Sequence, residues 1–127
     1  MPYEKTVKLI NMLEKKTSEG RVEWQETTDD GVFQAAFPGY AVRVLMHSAG
    51  GRFSDEDPDY FVQLYNENGT LIEVIRQDDI REGEEADAYK KSYGVLKSLY
   101  EGARRHAMGV DRALDQILEQ LENDVPF

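Results

Sequence analysis

The middle of the chain sets the fold. Between residues 21 and 76 apolar residues alternate with polar ones in short runs. Turn-forming groups punctuate them: Thr28-Asp29-Asp30-Gly31, Pro38-Gly39 and Asn66-Glu67-Asn68-Gly69. Alternation with a period of two sends successive side chains to opposite faces of a strand. Turns this tight join antiparallel neighbours. The pattern predicts five strands over 21–27, 32–37, 40–46, 59–65 and 70–76, paired in sequence order as a meander. A loop over 47–58 carries Gly50-Gly51 and the acidic run Asp55-Glu56-Asp57-Pro58.

The flanks change period. Tyr3, Val7, Ile10 and Leu13 recur at helical spacing over 3–18, and Gly20 ends the run. Residues 77–85 read as a polar connector. A long helix follows over 86–107, with Tyr89, Tyr93, Leu96, Tyr100, Ala103 and Ala107 on one stripe; at 1.5 Å per residue it is about 33 Å long, enough to span the sheet. Gly94 and Gly102 each weaken such a helix by up to about 1 kcal/mol, so a close approach to the sheet or the first helix is expected there. Gly109 breaks the helix. A last helix over 110–122 has Val110, Leu114, Ile117 and Leu121 as its inward stripe. With 127 residues there is room for one core. The expected class is α+β: an N-terminal helix, a five-stranded antiparallel meander and two C-terminal helices packed on one sheet face.

Composition narrows the chemistry. There is no cysteine, which removes disulfides, thiolate metal sites and cysteine nucleophiles. The formal net charge of −10 opposes binding to phosphate backbones, so nucleic acid is not an expected partner. No stretch approaches the roughly 18 apolar residues of a spanning helix. The first residues lack the apolar run of a signal peptide, and the expected location is cytoplasmic.

Catalytic patterns are missing. His47 and His106 stand far apart, without a metal-ligand spacing, and Asp55 to Asp59 lacks the glycine and glutamate of a calcium loop. No metal or cofactor is therefore expected. His47 adjoins Ser48, but adjacent strand residues point oppositely, so it is badly placed to activate that hydroxyl. Gly50-Gly51 leads into no helix N-terminus that would hold phosphate. No catalytic residue emerges, and the balance leans against an enzyme. The alternative is a small-ligand or catalytic site between the 47–57 loop and the cations Arg104 and Arg105, with His47 facing them. The bland reading of Arg104-Arg105-His106 is that cations suit the last turn of a helix.

Two features point to a partner instead. Asp111, Asp115 and Glu119 form a column on the last helix, where like charges at this spacing repel; an arginine such as Arg43 or Arg104, or a basic partner, would relieve them. If Val32, Tyr40, Val42, Val44, Val62 and Leu64 face the helices, then Phe33, Phe37, Leu45, Phe61 and Tyr65 emerge on the open sheet face. An apolar patch of this kind marks a partner or self-association surface.

Leu99-Tyr100-Glu101, Ala103-Arg104-Arg105, Gly109-Val110-Asp111, Ala113-Leu114-Asp115 and Ile117-Leu118 together resemble the C-terminal signature of a family of small uncharacterised bacterial proteins. Val22-Glu23-Trp24, Phe33-Gln34, Tyr40 to Val44 and Tyr65-Asn66 extend the resemblance over most of the chain. It implies a bacterial or phage cytoplasmic protein and brings no activity or site residue with it. The expected function is a non-enzymatic, acidic interaction or regulatory module that self-associates or docks on another protein. An inhibitor or immunity-type role against a basic partner suits the charge.

Overall fold

The computed structural model describes residues 3–48 and 57–123. Strands β1 (Trp24–Glu26), β2 (Phe33–Phe37), β3 (Tyr40–His47), β4 (Asp59–Asn66) and β5 (Leu71–Ile75) form one sheet in the order β1-β2-β3-β4-β5. Every pairing is antiparallel; short connections require this of all but β3 and β4, which are joined by the loop after His47. In the Pro38-Gly39 turn Gly39 sits at φ +78°, a left-handed conformation that side chains resist. Helices α1 (Glu4–Ser18), α3 (Ala86–Ala107) and α4 (Val110–Glu122) occupy the stretches with helical period. The fold is α+β, with an N-terminal helix, a five-stranded meander and C-terminal helices on one side of the sheet.

The connector holds one element that its polarity hides. A single turn, α2 (Gln77–Ile80), follows β5. The Asp79 carboxylate accepts the Arg76 backbone N–H at 2.8 Å, which satisfies a free donor at the start of the turn. Ile80, the apolar residue of this stretch, is buried.

The core lies between one sheet face and α1 with α3. Ile10 and Leu13 from α1 meet Leu96, Leu99, Tyr100 and Ala103 from α3. Below them lie Trp24, Phe33, Ala35, Val42, Val44, Val62 and Ile75 from the strands. The only tryptophan is anchored here: its indole N–H donates to the Thr17 hydroxyl at 3.0 Å. Gly102 explains itself at the same place, because a Cβ there would lie 2.9 Å from the Thr17 methyl. The two helices touch through that missing side chain. Gly94 has no neighbour within 4 Å of such a Cβ, so close approach does not account for it.

β2 corrects one expectation. The sequence reading turns Val32 inward and Phe33 outward. In the structure Phe33 pairs with Val44 and Ala35 with Val42, and Phe33 is 3% exposed. Val32 precedes the strand, in a turn where its carbonyl accepts the Thr27 hydroxyl at 2.9 Å. A one-residue slip exchanges the two faces.

The last helix corrects another. Val110, Leu114, Ile117 and Leu121 are expected to face inward, yet no residue of α4 is buried. Its main contact is with α3. Gly109, at φ +65°, turns the chain between the two helices.

Candidate functional site

The cations of the alternative site do not converge with His47. Val42 and Val44 are buried in the core, so alternation along β3 places Leu45 and His47 on the opposite face. His47 is exposed there, paired in register with Asp59. Arg104 and Arg105 belong to the helical layer on the other side of the sheet. Arg104 donates to Glu101, one turn earlier, at 3.2 Å. Arg105 donates to Asp111 at 2.8 Å. His106 lies 3.2 Å from Glu23. The last turn of α3 therefore sets each of its basic side chains beside an acid. Gly50 and Gly51, which the alternative also needs, lie outside the described residues.

The expected aromatic patch is divided among three environments. Phe33 is in the core. Phe37 shares its face of β2 but lies at the hairpin end and is 41% exposed next to Tyr40. Phe61 and Tyr65 are on the uncovered face, half-buried. Each is shielded by a guanidinium: Arg76 lies 5.9 Å from the Phe61 ring centre and Arg43 lies 5.1 Å from that of Tyr65. Arg43 also donates to Gln34 at 2.7 Å, and the Tyr65 hydroxyl donates to Gln63 at 2.9 Å. The register aligns Gln25, Gln34, Arg43, Gln63 and Val74 in one row across all five strands. A mostly polar row, with Arg43 bonded to Gln34 within it, suits contact with water.

The tyrosines of α3 serve the fold. The Tyr100 hydroxyl donates to the Gly31 carbonyl at 2.8 Å, and that of Tyr93 donates to the Pro58 carbonyl at 3.0 Å. Tyr60 packs against both rings, at 5.6 and 5.4 Å between centroids. Burial, more than the neighbouring charges, pushes the Tyr60 phenol up to about 12 and raises those of Tyr93 and Tyr100. These phenols stay protonated at neutral pH. Tyr89, the first of the stripe, is exposed beside Arg81.

Sequence reasoning overlooks a groove at the sheet edge. Among the described residues β5 has no strand on its outer side. Its exposed Leu71 and Ile72, with Tyr3, Arg76 and Asp79, line a groove of about 620 Å³. The signal is present: two adjacent apolar residues at a strand start cannot both face one core.

The largest uncovered apolar stretch in a single element is α4. Leu114, Ile117, Leu118 and Leu121 are 46–56% exposed, and Met108 just before the helix is 52% exposed. Of the column expected to need a positive partner, Asp111 has one in Arg105; Arg43 lies over Tyr65 and Arg104 binds Glu101. Asp115 and Glu119 are exposed. No described helix is long and apolar enough to cross a membrane. No family model, no curated protein and no solved structure matches the chain.

Proposed function

We propose that the chain is a non-enzymatic protein-interaction module and that α4 is its contact element. One observation carries the reading: a strongly two-sided helix has none of its apolar stripe buried among the described residues. Isolated helices shorter than about 12–15 residues are marginal in water. α4 has 13 residues, so it draws little stability from its own backbone. Full burial of a leucine or isoleucine stabilises by about 1.5–3 kcal/mol, so four half-exposed ones leave about 4 kcal/mol unclaimed in each chain. A partner that covers the stripe gains that term and orders the helix together.

Site-specific photo-crosslinking in the native host tests this. A photoreactive residue replacing Leu118 should trap a protein, while one replacing Glu67 in the β4–β5 turn should trap none. Equal, background-level trapping at both positions would overturn the assignment.

A further inference from the structure

β5 reads Leu71-Ile72-Glu73-Val74-Ile75. Ile72, Val74 and Ile75 are β-branched and suit a strand; Glu73 is the one charge among apolar residues. A segment of this kind with a free edge is a template for pairing with its own copies. The two edges of the sheet differ in this respect. β1 is three residues long, and so short an edge offers little to pair with. β5 is longer, ends the sheet among the described residues, and exposes Leu71 and Ile72. We infer that the Glu73 carboxylate closes this edge: it takes up the outward backbone N–H of Val74 and keeps a second β5 from adding there as a further strand.

Three observations place the carboxylate in that role. The first is where the edge donors go. The Val74 N–H donates to the Glu73 side chain at 3.2 Å, so it turns off the ladder although Val74 stands opposite Gln63. Alternation makes Arg76 the next outward donor, and its N–H is taken by the Asp79 carboxylate at 2.8 Å. Both donors are thus capped by acids of the same chain. The second is the face. Glu73 stands opposite Leu64 and two residues before Ile75, on the side where Val62 and Ile75 enter the core. It is exposed there. An acid on the covered face of an edge strand would be buried by a docking strand, and an antiparallel copy would bring a second Glu73 to the same short contact. The third is a bulge. The ladder steps from Leu64 opposite Glu73 to Tyr65 opposite Leu71, which leaves Ile72 over. Such a step twists an edge away from flat pairing.

Removing the carboxylate should open the edge. Light scattering at about 100 μM, where weak pairs form, compares wild type with Glu73→Ala and Glu67→Ala, which lose the same charge. Glu73→Ala should rise to at least about twice the wild-type mass. Glu67→Ala, in the β4–β5 turn, should stay with wild type. Any contact through α4 is common to all three and does not enter the difference. Amide exchange locates the new contact: in associated Glu73→Ala the Val74 N–H should exchange at least about tenfold more slowly than in the dilute variant. Adding Val74→Pro to Glu73→Ala deletes the outward donor at an edge position where proline costs no ladder bond, and should restore the wild-type mass. Trp24 fluorescence checks each fold; if the proline variant does not fold, the exchange measurement decides without it. Equal masses for wild type and Glu73→Ala overturn the inference. So does a rise shared by Glu67→Ala, a rise that leaves the Val74 amide no slower, or a folded proline variant that still associates.

Discussion

α3 and α4 follow one another across two residues, Met108 and Gly109, and are both amphipathic, yet they meet opposite fates. α3 buries Ser92, Leu96, Leu99, Tyr100 and Ala103; α4 buries nothing. The difference does not lie in the stripe. It lies in what stands opposite. α3 crosses the sheet and closes on α1, where Thr17 takes the place that a Gly102 side chain would need. Gly109 then carries α4 beyond both. An apolar face describes a need for cover, and the position of the helix decides whether the same chain supplies it.

Substitutions can break this contrast, and the largest effect belongs to α3. Leu99→Ala should destabilise the fold by about 2–5 kcal/mol, while Leu118→Ala should leave a dilute single chain within about 0.5 kcal/mol of wild type. Chemical denaturation followed by Trp24 emission measures both. Comparable losses would mean that α4 is part of the core.

The α1–α3 contact sharpens the point. Thr17→Val removes the acceptor of a buried indole N–H and should cost about 1–3 kcal/mol. Gly102→Ala forces a methyl against Thr17 and should cost about 1–3 kcal/mol. Gly94→Ala, with open space around it, should stabilise by about 0.4–1 kcal/mol. The two glycines of one helix thus shift the melting temperature in opposite directions.

Beneath α3, the Tyr60 phenol gives a pH dependence that α4 cannot share. Its value is about 12 in the folded protein against 10.0 without burial. The unfolded chain releases this proton first as pH rises. The contribution is whole below pH 10 and disappears between pH 10 and about 12. Tyr60→Phe should flatten that part of the stability profile. The smallest effect is at the α3–α4 junction: Arg105→Ala breaks an exposed ion pair and should cost under about 1 kcal/mol.

Most of the architecture is legible in the sequence because turns and period carry it. The hairpins close at Pro38-Gly39 and Gly69, and all three long helices fall on their periodic stretches. Where two apolar residues adjoin, the signal divides. Val32 beside Phe33 and Ala35 beside Ala36 offer an acceptable inward face in either register, and only pairing with Val42 and Val44 chooses. Arg43 gives no hint of covering Tyr65, since that contact joins separate strands. The stripe of α4 is plain in the sequence. That no described residue buries it is not, because periodicity is silent about neighbours.

Amide hydrogen exchange on the dilute, single-chain protein tests the central claim most directly, because it reads the stability of each helix separately. With no residue of α4 buried among the described residues, amides from 114 to 122 should exchange at least about a hundredfold faster than those from 96 to 103. Protection in α4 equal to that of α3 under the same conditions would contradict it.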